Sequence, residues 1–167
     1  MTQSLRRFEI IKPEHDVSRF DSHNTLLDSF VKENALDYTV RDLARTYVLL
    51  ESDEVIGYFT LQADSIYGSA YKPKLGNTIP VVHLQFLARD YSHRGMGIGE
   101  ILLVEVLRRT LLASQHIAIT GVHLEYTAEG KRLYERYGFG EHPYGDGNML
   151  LSIKSVRAIL HTLDALP

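Results

Sequence analysis

Leu84-Gln85-Phe86-Leu87-Ala88-Arg89-Asp90-Tyr91-Ser92-His93-Arg94-Gly95-Met96-Gly97-Ile98-Gly99 is the stretch from which the rest of the chain can be read. Its first part belongs to Pro80–Ala88, a stretch with apolar residues on both faces, so a central strand is expected there. Its last part opens a helix over Gly97–Ser114, with Ile98, Ile101, Leu102, Leu107 and Leu111 as the buried stripe. Between strand and helix, glycines at 95, 97 and 99 remove side chains where the chain turns. Backbone N–H groups there can approach a ligand closely. The first N–H groups of a helix lack internal partners, and the helix dipole favours anions at that end. Together these features make a phosphate cradle, and Arg94 adds a permanent positive charge beside it. A plain tight turn would use the same residues. Two known cradles do not fit. The Walker pattern ends in Gly-Lys-Ser/Thr, whereas Gly99 is followed by Glu100. The dinucleotide fingerprint sets its glycines directly after the strand and an acidic residue about 20 positions on; here Asp90–His93 intervene and Ala118, Ile119 and Thr120 stand at that distance.

Working outward, Phe8–Ile11 is expected as a first strand, stopped at Pro13. Phe20–Tyr38 is expected as a helix capped by Asp21 or Ser22. Arg45–Leu50 and Val55–Asp64 are expected as a hairpin over Ser52-Asp53-Glu54, and Ser65–Thr78 as a loop. Downstream come a strand over His116–Leu124, a helix over Thr127–Tyr137 stopped at Gly138, a strand over Asn148–Ile153 and a short helix over Ser155–Leu163. This order implies a mixed α/β sheet with at least one parallel crossover.

The 167 residues suit one domain, 1–167, with an ordinary apolar fraction of 44%. With no cysteine, disulfides, thiolate metal sites and a cysteine nucleophile are excluded, which fits a reducing cytoplasm. The start, Met1–Phe8, is polar with Arg6 and Arg7, so a secretory signal is not expected. Ile101–Leu107, interrupted by Glu105, is far short of the roughly 20 residues of a membrane span. A net charge of −3 argues against nucleic-acid binding through one large positive field, though not against a local basic patch.

Arg94-Gly95-Met96-Gly97-Ile98-Gly99 resembles the R/Q-x-x-G-x-G/A signature of the GNAT acetyltransferase superfamily, in its expected place between a central strand and a long helix. Lys131-Arg132-Leu133-Tyr134-Glu135-Arg136-Tyr137-Gly138-Phe139 is similar to that superfamily's "xxxLYExxGF" segment. The resemblance covers roughly Val55–Ile153. It implies an α/β (α+β) fold with a mixed, mostly antiparallel central sheet, splayed central strands and flanking helices. It implies acetyl-CoA as co-substrate, with the backbone of Leu87, Ala88 and Arg89 pairing with the pantetheine. Backbone N–H groups of Gly95, Met96, Gly97, Ile98 and Gly99, with Arg94, would hold the pyrophosphate. Tyr134 would act as general acid on the leaving thiolate, a role for which an ordinary phenol pKa near about 10 is suited. Without cysteine, direct attack in a ternary complex is expected.

Phe20-Asp21-Ser22-His23-Asn24, Leu27-Asp28-Ser29-Phe30-Val31 and Ala44-Arg45-Thr46-Tyr47-Val48 resemble the opening of a subgroup that contains the acetyltransferase toxins of bacterial toxin–antitoxin pairs. That resemblance implies the α-amine of aminoacyl-tRNA as acceptor and an antitoxin as partner. Ser22-His23 stands where Cys-Gly is common, and Arg89 where an apolar residue is usual. The basic candidates for tRNA contact are scattered: Arg41 with Arg45, Lys72 with Lys74, Lys131 with Arg132. A polyamine, amino acid, antibiotic or protein amine remains the rival acceptor, and a CoA-binding interaction module without turnover the rival from another class. Sheet edges also leave room for a homodimer.

The attacking amine must be neutral. An α-amine with pKa about 7.7–8.0 is roughly a quarter neutral at pH 7.4, whereas a lysine is about 0.1% neutral. The candidate bases are His83, which shares a strand face with Gln85, and Glu125, just past the neighbouring strand. No metal-ligand spacing is present, so no metal is expected.

Overall fold

Ser52 and Asp53 both take positive φ, 48° and 69°. This closes a tight hairpin between β2 (Arg45–Glu51) and β3 (Glu54–Ile66). Turns with two left-handed residues match the twist of the flanking strands, so the turn sets the register: Glu51 faces Glu54 and Tyr47 faces Phe59. The computed structural model describes residues 5–167. Met1–Ser4, half of the polar start discussed above, lie outside the described residues. β1 (Arg6–Ile10) adds antiparallel to β2.

The helix expected over Phe20–Tyr38 is two: α1 (Thr25–Glu33) and α2 (Ala35–Val40). Neither Asp21 nor Ser22 is the cap. The Ser22 N–H and hydroxyl donate to the Asp28 carboxylate at 2.9 and 2.6 Å, which folds the preceding residues into a turn. Asn24 caps instead, accepting from the N–H groups of Leu26 and Leu27. The helices part at Asn34, whose φ and ψ of −123° and −31° are not helical.

The chain falls into two compact units: the first runs to Gln62 and takes in Phe86–Leu103, the second holds Ala63–Gln85 and Val104–Pro167. β3 and β4 (Ile79–Arg89) run through both. In the first unit, Phe20, Phe30 and Val31 pack with Val48, Tyr58 and Ala88. Burying such side chains stabilises by about 1.5–3 kcal/mol each. The Tyr58 hydroxyl donates to the Leu27 carbonyl at 2.7 Å, so this core ring keeps its polar end satisfied.

In the second unit, Val81–Leu84 of β4 run parallel to Gly121–Leu124 of β5 (Gly121–Glu125). α3 (Ile98–Ser114) is the connecting helix, the crossover that a parallel pair needs. The β4–β5 pairs end at Leu84 while β4 itself continues to Arg89, the form that splayed strands take. β7 (Asn148–Ser152) pairs antiparallel with β5, and the two-residue β6 (Gly140–Glu141), which the sequence did not suggest, pairs antiparallel with β7. Strand order is β1-β2-β3-β4-β5-β7-β6: a mixed sheet, parallel at β4–β5, with helices flanking it. β5 is shorter than expected because the N–H groups of His116 and Ile117 bond the Ala113 carbonyl at the end of α3 and so cannot join a ladder. α4 (Lys131–Arg136) is also shorter than expected, a turn at Thr127–Lys131 taking its first residues. α5 (Ile153–Thr162) is capped by Ser152, with Val156 and Leu160 buried.

Candidate active site

The end of β4 packs closely on β3 at Gly57, a glycine that the sequence alone does not single out. A Cβ on Gly57 would lie 3.3 Å from the Ala88 carbonyl oxygen, 3.1 Å from Leu102 Cδ1 and 3.3 Å from Ile98 Cγ2. β3, the end of β4 and the start of α3 thus approach more closely than a side chain would comfortably allow. Ala88 is buried, while Leu87 and Arg89 are half-buried. The following turn is locked by Asp90. Its N–H donates to the Ile56 carbonyl at 2.9 Å, and its carboxylate accepts from the N–H groups of Asp21 (3.1 Å) and Ser92 (3.0 Å) and from the Ser92 hydroxyl (2.5 Å). Burial works against its ionisation, but these hydrogen bonds outweigh it and hold the carboxyl below its usual range.

Arg94 leaves that turn in an extended conformation. Gly95 and Gly97 then take φ of 76° and 73°, values at which an L side chain is strained. A Cβ at either position would meet nothing within 4 Å. Packing does not demand these glycines; the backbone path does, and the space beside it is open. The Ile101 N–H bonds the Gly97 carbonyl at 3.1 Å, the first closed turn of α3. The N–H groups before it lack partners within the helix, and a helix start beside open space suits an anion.

The second unit holds the candidate bases. His83 and His123 are direct partners in the parallel register, with ring centroids 5.5 Å apart. The Asp64 carboxylate lies 3.6 Å from His83 Nδ1. Burial lowers the His83 pKa, against the opposing pull of Asp64 and Glu125; burial and then the His83 charge lower that of His123. Both imidazoles are therefore neutral near pH 7. His123 is 9% exposed, and its Nδ1 is buried without a hydrogen-bond partner among the described residues. Glu125 sits exposed at the end of β5, opposite Asn148. The structure thus groups His83 with Asp64 and His123, neither of which the sequence singled out. Both could have been found only from the strand register.

Tyr134, also in the second unit, is 7% exposed on α4, edge-on to Phe139 with ring centroids 5.6 Å apart. A Cβ at Gly130 would stand 3.1 Å from its ring. Burial pushes the phenol up to about 12, above the ordinary value expected from sequence, so it keeps its proton across the physiological range and is a donor. Among the described residues no cluster of three metal-ligating side chains exists, and no helix is long and apolar enough to cross a membrane.

The family described as "Acetyltransferase (GNAT) domain" matches residues 42–141. "Probable toxin TacT" of Sinorhizobium fredii is 29% identical, over 90% of this chain and 94% of that protein. A "tRNA-acetylating toxin" of Mycobacterium tuberculosis is 26% identical, over 90% and 93%. Among solved structures, a tyrosine-to-phenylalanine mutant of KacT superposes with a TM-score of 0.84 at 26% identity, covering 94% of this chain and 99% of KacT. A corresponding type of mutant of the AtaT toxin, bound to the C-terminus of the antitoxin AtaR, gives 0.81 at 25% identity, covering 92% and 97%.

Proposed function

This chain belongs to the GNAT acetyltransferase family and is an acetyl-CoA-dependent N-acetyltransferase; we propose that its acceptor is the α-amine of an aminoacyl-tRNA. The observation that carries the reading is the open glycine turn from Arg94 to Gly99, set between β4 and α3 inside the matched region. The acceptor class follows from similarity to the tRNA-acetylating toxin.

The backbone of Leu87, Ala88 and Arg89 pairs with the pantetheine amides. Arg94 and the N–H groups of Gly95–Gly99 neutralise the pyrophosphate. Tyr134 gives its proton to the departing thiolate, and the second proton lost by the attacking nitrogen as the amide forms restores the phenol. A phenol at about 12 is a weak acid, and it donates because a thiolate expelled away from water is also a stronger base than in solution. His83 receives the proton of the incoming ammonium, which leaves a neutral amine with its lone pair free to attack. Asp64 stabilises the imidazolium so formed. His83 is preferred to Glu125 because it is half-buried, neutral near pH 7 and paired with a carboxylate.

The basic residues divide. Arg41 is paired with Asp37, Arg45 with Asp42, and Lys131 with Glu135 and Glu141. Of these candidates, Lys72, Lys74 and Arg132 form no ion pair among the described residues, and they are the ones offered to tRNA phosphates. The carboxylates of Asp64 and Glu125 near His83 favour a second reading, a cationic small amine such as a polyamine. An antitoxin-like partner and a cytoplasmic setting follow from the aminoacyl-tRNA reading, and two copies joined at a sheet edge are compatible with it. Acetyl-CoA turnover, followed by thiol release against charged tRNAs, polyamines, amino acids and lysine peptides, tests the acceptor. Turnover confined to charged tRNA, and reduced by Lys72→Glu with Lys74→Glu, supports it. Turnover on polyamines alone moves the protein to small-molecule metabolism.

A further inference from the structure

Arg94 is held by a contact that its motif does not require. Its guanidinium carbon stands 4.3 Å from the centroid of the Tyr91 ring, and Nη1 makes a long contact of 3.5 Å to the Tyr91 carbonyl. The His23 ring lies against the same Tyr91 ring, centroids 3.5 Å apart and planes within 17°. His23 comes from the turn before α1, remote in sequence, and two hydrogen bonds fix it there. Its N–H donates to Asp21 Oδ1 at 2.9 Å, and the Tyr91 N–H donates to the Asp21 carbonyl at 2.8 Å. To reach this position His23 takes a φ of 63°, in the left-handed region that non-glycine residues seldom occupy. Backbone strain of this kind persists where the surroundings hold it in place, often at functional sites.

The exposed Arg94 side chain forms no ion pair among the described residues. A carboxylate partner would orient a guanidinium but would also neutralise it. An aromatic face orients it and leaves its charge and its N–H groups free for a phosphate. We propose that Tyr91, backed by His23, is a positioning platform that holds Arg94 ready for the pyrophosphate of acetyl-CoA. This rests on the reading of Arg94 as a pyrophosphate ligand given above.

Calorimetric titration with acetyl-CoA, together with steady-state kinetics, tests it. Arg94→Leu should weaken acetyl-CoA binding about tenfold. Tyr91→Leu should weaken it about three- to fivefold, with kcat held, and Tyr91→Phe should restore the affinity. In the Arg94→Leu background, Tyr91→Leu should have no further effect, because the platform acts only through Arg94. With acetyl-pantetheine, which lacks the pyrophosphate, KM should be the same for the parent and Tyr91→Leu. His23→Gly relieves the backbone strain and removes the stack, so its melting temperature should not fall while acetyl-CoA binding weakens. Parent-like affinity in Tyr91→Leu, with Arg94→Leu impaired, overturns the platform alone. Parent-like affinity in Arg94→Leu overturns the pyrophosphate reading and the platform with it. An equal loss for acetyl-pantetheine in Tyr91→Leu assigns Tyr91 a general structural role and overturns the proposal.

Discussion

In the turn from Arg94 to Gly99 the groups proposed for a ligand are mostly backbone N–H groups, on a path set by positive φ at Gly95 and Gly97. On the β4–β5 face they are side chains: His83, His123 and, from β3, Asp64. The two regions hold their groups by different means. The turn is held by hydrogen bonds of Asp90, locally from Ser92 and at long range from Asp21. The strand face is held by register, and its imidazoles are kept neutral chiefly by burial. A backbone site tolerates many side-chain changes but not a change of path, whereas a side-chain site fails one atom at a time.

This contrast can be broken by experiment. The largest effect is expected at Tyr134. Tyr134→Phe removes only the proton donor, so kcat should fall about 100-fold while calorimetry shows unchanged acetyl-CoA affinity. A kcat within a few-fold of the parent would remove Tyr134 from proton delivery. Next comes His83→Gln, which should lower kcat/KM about tenfold at pH 7, near the lower end for a base acting on an amine already partly neutral. The parent's acidic limb, set below the ordinary histidine value because the His83 pKa is lowered, should flatten in this variant. An unshifted limb would pass the role to Glu125.

The backbone site gives the converse result. Gly97→Ala places a Cβ in open space but at a φ of 73°. It should destabilise the protein by about 1 kcal/mol and weaken acetyl-CoA binding severalfold, with kcat at saturation little changed. Full retention of affinity would mean that the path of the turn is not what the ligand reads.

The smallest effect concerns pH. His123 has a lowered pKa in the fold, so the folded protein binds fewer protons than the unfolded chain once pH drops below the ordinary histidine value. Stability should therefore decline from pH 7.5 to 5.5. The melting temperature of His123→Leu should decline less over that window, and equal slopes for the two proteins would refute a buried, neutral His123.

Much of the first region was legible in the sequence because its determinants are local. Glycines at 95 and 97, a preceding arginine and a following helical stripe state both the path and the charge, and the hairpin over Ser52 and Asp53 was legible for the same reason. Element ends differ from the sequence pattern where competing hydrogen bonds decide them. Asp28 binding Ser22 moved the start of α1 to Thr25, and the end of α3 claimed residues expected in β5.

By itself the sequence determined the order of the main elements, apart from β6 and the break between α1 and α2, the glycine turn and its cation, the tyrosine of α4 and the absence of cysteine chemistry. Only the tertiary structure decided that Gly57 admits the Ala88 carbonyl, that His123 and Asp64 stand beside His83, and that His23 lies on Tyr91. The physical reason is range. Backbone dihedrals and hydrophobic periods are set by neighbours a few residues apart, while register and stacking join residues far apart in the chain through packing that no local window contains.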